Sequence, residues 1–475
     1  MSGWASDRVG SAAALALAVS SVLAVACATA PGGGPAATPA EPPVQAVSTQ
    51  APRARRVPPP VQITEGDPDS PIDPIARLQK RLDAGELTLE YDSIRGYLPS
   101  VLAALDVPLE SQGLVFSRTS LQTDRIAPWT PRALYFNDDV YIGWVQESPI
   151  LEIASVDPDE GGYFYTLPQN PEGAPRFKRE TTACLMCHES KTVTGGVPGF
   201  ILLSVLTDRH GYVITNVHEG PTTERTPIAE RWGGWYVTGS AAATDHSGNT
   251  MAPVLSHEVS DRARYLAEFD MTADAHATDL EGRFDTSPYL TPHSDIVALL
   301  VLAHQARVHN LITLAAQEAG AALREQEFVL RSSGQEPPAD GFLPITRVRI
   351  DGVVERLVRG MLFVGEVDVG GPVTGTSGFA EQFQTRGPRD ARGRSLRDFD
   401  LEHRVFRYPL SFLIYSDAFK ALPELVRRTV YDRLDAILSG RDTDPDFAHL
   451  SAEDRAAIQE ILTETQPEFL TLRTQ

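Results

Sequence analysis

Two cysteines and a histidine form the most chemically specific pattern in this sequence. Cys184 and Cys187 are three positions apart, and His188 follows directly, in the order C-x-x-C-H. Two thiols at this spacing on one helical turn can each form a thioether bond with a vinyl group of haem. The imidazole that follows then lies beneath the iron and can supply its proximal nitrogen ligand. The pattern therefore predicts one covalently attached haem of the c type.

Two other uses of paired cysteines stay open at the level of sequence. A redox-active dithiol of the thioredoxin type shares the C-x-x-C spacing, but no β-α-β pattern surrounds this pair. A structural zinc site needs four ligands, and no second C-x-x-C motif accompanies this one. The chain has only three cysteines, and two of them lie in the motif. We expect haem attachment, with dithiol or zinc chemistry as the alternatives.

The sixth coordination position of the iron has several candidate ligands. A thioether from Met251 would raise the reduction potential, as in electron-carrier cytochromes. His246 and His257 flank that methionine, and either would give a bis-histidine site. His304 lies on the apolar stripe of a predicted helix, where a buried imidazole needs a hydrogen-bond partner or a metal. Ordinary loop residues, a core histidine at His304 and a vacant sixth position are the alternatives.

The N-terminus predicts an export signal over residues 1–27. Arg8 supplies the positive charge, and residues 12–26 form an apolar run that is short for a membrane-spanning helix. Cys27 ends this run and resembles the lipidated cysteine of a bacterial lipoprotein. Cleavage slightly further along, without lipidation, is the alternative. Export agrees with haem attachment, because haem of the c type is ligated to proteins outside the cytoplasm.

The net charge of the chain limits the kinds of molecule that it can bind. The formal net charge is −21, while 42% hydrophobic and 22% charged residues are ordinary values for a soluble protein. Such an acidic chain is repelled by nucleic acid and by anionic membrane surfaces. We expect a redox partner protein or a small electron donor or acceptor, no nucleic acid, and contact with a membrane only through a lipid anchor.

Composition and hydropathy patterns divide the rest of the chain into three regions. Residues 28–70 are rich in proline, alanine and glycine and predict a disordered tether. Residues 71–290 begin with helical patterns and continue with strand patterns around the C-x-x-C-H motif. Residues 291–475 are expected to be mainly helical. The predicted fold class is α+β, with a β-rich central region carrying the haem motif between an N-terminal helical segment and a C-terminal helical region.

Individual elements follow from the same patterns. Helices are predicted at 74–84, 93–105, 295–319, 351–363, 422–439 and 452–464. Ser294 or Asp295 is expected to start the longest of these helices and Gly320 to end it, and Ser451 is expected to cap the last. Strands are predicted between 114 and 167 and at 235–237, and a hairpin turn at 208–211. The glycine- and arginine-rich stretch 370–400 predicts a long loop.

Three further segments are distinctive. They are residues 131–144, residues 231–239, and the stretch that begins Arg407-Tyr408-Pro409 and ends at Ser416. Together with the single C-x-x-C-H motif, they resemble an uncharacterised family of exported bacterial cytochrome c-like proteins, over roughly residues 110–465. The resemblance implies haem binding and electron transfer and names no substrate. Small class I cytochromes c carry their haem motif near the N-terminus, so their fold is not expected here.

The leading hypothesis is an exported, mono-haem c-type cytochrome-like protein, anchored in the periplasm by a lipid and transferring single electrons. The alternative is a haem-dependent oxidoreductase, peroxidase-like or oxidising a small molecule, with a vacant iron position near Arg231, Trp232, Trp235 or Tyr236. Core packing is the simpler role for those four residues. An anchored haem-containing binding or sensory protein is a third possibility. No catalytic residue is identified, so the sequence leaves enzyme activity, substrate and oligomeric state open.

Overall fold

The computed structural model describes residues 73–472, apart from gaps at 215–218, 242–243, 254–260, 262–263, 266–267 and 276–277. The predicted signal and tether, Cys27 and the candidate ligand His257 lie outside the described residues. Helices make up 36% of the described residues and strands 14%. The fold class is therefore α+β, as predicted.

An antiparallel sheet of seven strands occupies the first part of the described chain, and two short strand pairs lie outside it. The strands in chain order are β1 (Gly113–Val115), β2 (Arg132–Phe136), β3 (Val140–Trp144), β4 (Ile150–Asp157), β5 (Gly161–Pro168), β6 (Lys178–Arg179), β7 (Leu203–Val205), β8 (Glu219–Pro221), β9 (Trp235–Tyr236), β10 (Ser240–Ala241) and β11 (Val373–Thr374). The sheet has the order β6-β5-β4-β3-β2-β1-β9, while β7 pairs with β8 and β10 with β11. The strands predicted between 114 and 167 and at 235–237 are confirmed.

Helices dominate the remainder of the described chain. They are α1 (Pro74–Asp83), α2 (Leu98–Ala104), α3 (Leu185–His188), α4 (Ile296–Ser333), α5 (Pro344–Met361), α6 (Phe379–Gln384), α7 (Asp417–Ala421), α8 (Glu424–Leu438), α9 (Ala452–Thr465) and α10 (Pro467–Thr471). Short 3₁₀ turns occur at Leu109–Ser111, Ile228–Glu230, Phe412–Tyr415 and Pro445–Phe447. Ser451 caps α9 in a reciprocal capping box with Asp454, which confirms the predicted start of that helix.

The long helix α4 begins where the sequence predicts and ends later. The Asp295 carboxylate accepts hydrogen bonds from the backbone N–H groups of Val297 and Ala298, at 2.8 and 3.2 Å. The predicted end at Gly320 is wrong, because the helix continues to Ser333 and stops at Gly334, whose φ is +66°. The residues after Gly320 are strong helix formers, and they outweigh the roughly 1 kcal/mol that one internal glycine costs.

Three other predicted elements differ from the structure. The helix expected at 93–105 starts only at Leu98, because Asp92 and Gly96 close a tight turn with two backbone hydrogen bonds. The helix expected at 351–363 starts earlier, at Pro344. The stretch 370–400 is not one continuous loop, since it contains β11 and α6. The predicted hairpin turn is present, and the Gly211 amide donates to the Asp208 carbonyl at 3.0 Å.

The two faces of the sheet pack against different elements. Along β3, Val140 and Ile142 belong to a hydrophobic cluster with α1 and α2. Tyr141 points to the opposite face and joins a larger cluster built around α4. By length and composition α4 could cross a membrane, but 89% of its most apolar window is buried in the fold. It is thus the central core helix, and it covers the face of the sheet on which the C-x-x-C-H motif lies.

Candidate haem-attachment site

The C-x-x-C-H motif forms the single helical turn α3. Cys184 precedes the turn, and its carbonyl accepts hydrogen bonds from the backbone N–H groups of Cys187 and His188, at 3.2 and 3.0 Å. Cys184 is half-buried, whereas Cys187 is exposed. The structure therefore brings both thiols and the imidazole together on one turn, as the predicted chemistry requires.

A hydrogen bond fixes the orientation of the His188 ring. Nδ1 of His188 lies 2.9 Å from the backbone carbonyl oxygen of Gly199. A carbonyl can only accept, so Nδ1 carries the proton, and Nε2 keeps its lone pair without a hydrogen-bond partner among the described residues. Burial lowers the pKa of His188, which keeps the ring neutral near pH 7. This tautomer and charge state are those of an imidazole that binds a metal through Nε2.

Helix α4 fixes the position of the chain segment at Gly199 and Phe200, which in turn orients His188. The Asn310 side chain accepts from the Phe200 amide at 2.8 Å and donates to the Phe200 carbonyl at 2.9 Å. The Gly199 amide also donates to the His188 carbonyl at 2.8 Å. A Cβ atom at Gly199 would lie 2.3 Å from Oδ1 of Asn310, so only glycine fits between them. Sequence reasoning missed Asn310, although a polar residue on the buried stripe of α4 was a signal that could have identified it.

Aromatic rings form the wall behind His188. The His188 ring packs on Phe164 of β5 with centroids 4.5 Å apart, and Phe164 lies 6.4 Å from Phe200. Phe200 in turn contacts Tyr141 at 4.6 Å. The Tyr141 hydroxyl lies 2.9 Å from Nδ1 of His309 on α4. The inner side of the imidazole is therefore packed against the core shared by the sheet and α4.

The surroundings of Cys184 differ from those of a redox-active dithiol. Burial, together with the nearby carboxylates of Glu152 and Glu180, raises the pKa of Cys184 to about 11. Reactive C-x-x-C thiols have lowered pKa values, because the thiolate is the nucleophile. The antiparallel sheet also lacks the β-α-β arrangement of thioredoxin-like proteins. Both observations disfavour the dithiol alternative.

A zinc site receives no support from the described part of the chain. There, no group of three or more His, Cys, Asp or Glu side chains is placed to hold a metal ion. Structural zinc normally has four such ligands. A c-type haem has a different requirement, since the two cysteines bind the porphyrin and the chain needs to supply only the histidine next to them.

His304 makes the contacts of a core histidine. It is buried in α4, its Nε2 lies 2.9 Å from the Ser411 hydroxyl, and its ring stacks on Phe363 with centroids 4.0 Å apart. These groups come from the C-terminal helical region. Such contacts correspond to the core role that the sequence left open as the alternative to ligation.

His246 and Met251 also contact other parts of the fold. His246 is buried, its Nδ1 accepts from the Gly248 amide at 3.1 Å, and its ring meets Trp232 edge-on at 5.2 Å. Met251 is half-buried and packs against the hydrophobic cluster next to α1 and α2. The structure does not bring either residue, or His304, into hydrogen-bonding or ring contact with the α3 turn.

The four residues considered for the surroundings of a vacant iron position are buried in the core. Arg231 donates to the backbone carbonyls of Thr226 and Glu224, at 2.7 and 2.8 Å. Trp235 donates from its indole to the Leu203 carbonyl. Trp232 packs on His246, and the Tyr236 hydroxyl donates to the Pro128 carbonyl. Contacts of this kind indicate that all four residues have a structural role in the core.

Comparison of the chain with protein-family models, with curated proteins and with solved structures found no match. The resemblance to exported cytochrome c-like proteins therefore stays a prediction from the sequence motifs. What the fold itself provides is a C-x-x-C-H turn with one exposed cysteine and an oriented, neutral histidine.

Proposed function

We propose that this protein is an exported mono-haem c-type cytochrome-like protein that transfers electrons. Cys184 and Cys187 would hold the porphyrin through thioether bonds, and Nε2 of His188 would bind the iron. The hydrogen bond from His188 Nδ1 to the Gly199 carbonyl carries the proposal, because it fixes the one tautomer that can bind iron through Nε2. When bound, the haem supplies a one-electron redox couple.

The protein residues around the turn would orient the group and leave one edge open. Phe164 supports the imidazole from the inner side, while Cys187 and Met186 face outward, and Met186 is 79% exposed. An exposed edge allows an electron to pass to or from a partner at the surface. The net charge of −21 suits a basic redox partner.

Location forms part of the same proposal. The apolar N-terminal run and Cys27 support export and a lipid anchor, and residues 28–70 would serve as the tether to the folded part. A c-type haem is attached outside the cytoplasm, so the two features support each other.

A haem-dependent oxidoreductase is the second candidate, and one observation favours it. Of the four predicted sixth ligands, the three described ones all contact other parts of the fold. His304 contacts Ser411, His246 contacts Trp232, and Met251 packs against the hydrophobic cluster that includes α1 and α2. An iron without a protein ligand on that side would be open to small molecules. Open coordination allows chemistry at the iron in addition to electron transfer.

Covalent attachment is tested on the full-length protein produced with a c-type haem maturation system. Haem should stay on the polypeptide in a denaturing gel, and Cys184→Ala combined with Cys187→Ala should remove it. Met186→Ala is the matched control, since it alters the exposed residue between the cysteines and should keep the haem. If acidified acetone extracts all haem from the unaltered protein, the proposal is wrong.

Binding of carbon monoxide separates the two candidate functions. A pure electron carrier with both axial positions filled should be low-spin and should not bind carbon monoxide in its ferrous form. Rapid binding would favour the oxidoreductase. If the site is closed, replacing Met251, His246, His257 and His304 one at a time should identify the ligand by a change to a high-spin spectrum.

A further inference from the structure

A cavity of 180 Å³ lies between α4 and the segment that follows the C-x-x-C-H turn. Its walls are mainly apolar and include Leu202, Ala303, Leu311 and Leu314. Five polar side chains also line it, those of Thr194, Thr222, Thr223, Arg307 and Asn310. We propose that this cavity binds a small organic monocarboxylate, with its apolar part between the walls and its carboxylate on Arg307 and Thr222.

Arg307 has hydrogen-bond donors available for a ligand. Its Nη1 is paired with the buried carboxylate of Glu224. Its Nε and Nη2 have no partner among the described residues, and the side chain is 19% exposed. The Nε–Nη2 edge of a guanidinium is planar and can donate two parallel hydrogen bonds to one carboxylate.

Thr222 supplies an independent sign of a ligand. The residue is 3% exposed and lines the cavity, and its hydroxyl has no hydrogen-bond partner in the described part of the chain. Leaving a buried hydroxyl unsatisfied costs about 1–3 kcal/mol. Rotation of the Thr222 side chain toward the cavity would let this hydroxyl donate to a carboxylate oxygen there and would remove that cost.

The charges behind the cavity favour an anionic ligand. Arg307 is paired with the carboxylate of Glu224, while Arg231 donates to the Glu224 backbone carbonyl and acts on the carboxylate through its charge. One nitrogen of Arg231 is buried without a partner among the described residues. Glu366 is the other acidic group near Arg231, and burial raises its pKa to about 7, so it is partly protonated at neutral pH. Positive charge therefore exceeds negative charge here, and a monoanion would balance it.

The volume limits the size of the apolar part. A cavity of about 150 Å³ lined by aliphatic and aromatic side chains can hold benzene. The cavity here is slightly larger, at 180 Å³. It therefore suits a single ring, as in benzoate, or a short branched chain, as in 3-methylbutanoate.

Occupancy of the cavity would also affect His188. Phe200 lines the cavity and directly follows Gly199, whose carbonyl accepts from the His188 ring. Asn310, which fixes Phe200, lines the cavity as well. Ligand binding should therefore shift the reduction potential of the iron. This consequence rests on the haem proposal, whereas binding of the carboxylate does not.

The test is calorimetric titration of the full-length protein at pH 7 with three carboxylates, benzoate, 3-methylbutanoate and acetate, and with neutral benzamide. We expect benzoate or 3-methylbutanoate to bind at least about tenfold more tightly than acetate or neutral benzamide. Arg307→Lys keeps a positive charge beside Glu224 but loses the planar Nε–Nη2 edge that donates two parallel hydrogen bonds. The affinity for the carboxylate should therefore fall at least about tenfold. Arg433→Lys, which alters an arginine paired with Glu355 and Asp442 away from the cavity, is the matched control and should change nothing.

Two further variants keep the proposal testable if Arg307→Lys folds poorly. Thr222→Val removes the unpaired hydroxyl, so it should weaken binding without loss of stability. Ala303→Leu fills the cavity and should abolish binding. Absence of binding by all three carboxylates, equal affinity for benzamide, or unchanged binding in Ala303→Leu would each overturn the proposal. Binding without a shift in haem potential would leave the carboxylate site standing and count against its link to His188.

Discussion

Gly199→Ala is the substitution that most directly tests how the fold positions His188. The added Cβ would lie 2.3 Å from Oδ1 of Asn310 and 2.8 Å from its Cγ. Because that contact is far too short, the Asn310 amide must move away. Its two hydrogen bonds to Phe200, at 2.8 and 2.9 Å, would then break.

The expected loss of stability follows from those two hydrogen bonds. Both are buried, and leaving their groups unsatisfied costs about 1–3 kcal/mol each. Alanine restricts the unfolded chain more than glycine does, which offsets about 0.5–1 kcal/mol. We therefore expect Gly199→Ala to lower the free energy of unfolding by about 1–5 kcal/mol.

The assay is urea denaturation of the full-length protein, with Gly352→Ala as the matched control. A Cβ at Gly352 in α5 would meet nothing within 4 Å, so this second change should stabilise the protein by up to about 1 kcal/mol. In haem-loaded protein, Gly199→Ala should also raise the reduction potential, because release of Phe200 displaces the adjacent residue-199 carbonyl and weakens the hydrogen bond that makes the His188 imidazole a stronger donor to ferric iron. If Gly199→Ala is as stable as the unaltered protein, the Asn310 contact does not hold this segment.

Three further outcomes are expected. Burial raises the pKa of Glu366 to about 7, so the native state binds its proton more tightly than the unfolded chain, and stability falls as pH rises from about 4.5 to 7. Glu366→Gln should flatten this decline, as measured by urea denaturation over that pH range. An unchanged pH profile in the variant would contradict the assignment. Ser451→Ala should lower the free energy of unfolding by about 1 kcal/mol through loss of the α9 capping box, measured in the same way against Ser332→Ala on the exposed end of α4. Cys27→Ser should release the protein into the soluble periplasmic fraction, and fatty-acid labelling of that variant would refute lipidation at Cys27.

Local sequence signals predicted the elements whose ends have a strong chemical cause. Asp295 and Ser451 are side-chain caps, and the helices α4 and α9 start directly after them. The end of α4 was wrong because Gly320 is only a weak helix breaker, whereas Gly334 adopts the left-handed conformation that ends the helix. Helix α2 started late because of a turn closed between Asp92 and Gly96, and hydropathy periodicity does not detect such a turn.

The candidate site shows a similar division between local and distant information. Cys184, Cys187 and His188 are neighbours in the sequence, so their meeting on one turn needed only helix geometry. The groups that orient the histidine come from distant parts of the chain, Gly199 and Asn310 among them, and their roles depend on which strands and helices pack together. Single-sequence patterns carry little information about such packing, which is why the sixth ligand could not be chosen from the sequence.

The size of the chain becomes understandable once the supports of His188 are traced. A short turn that carries a haem would need far fewer residues if it were held only by its neighbours. Here the imidazole packs on β5, and its hydrogen-bond acceptor is fixed by Asn310 on the buried helix α4. Arg307 lies three residues earlier on that helix and lines the proposed carboxylate cavity together with Asn310, so one face of α4 serves both sites. If both proposals hold, electron transfer by this protein would respond to a small molecule, a property that a simple carrier does not need, and the scaffold linking the two sites would account for the size of the chain.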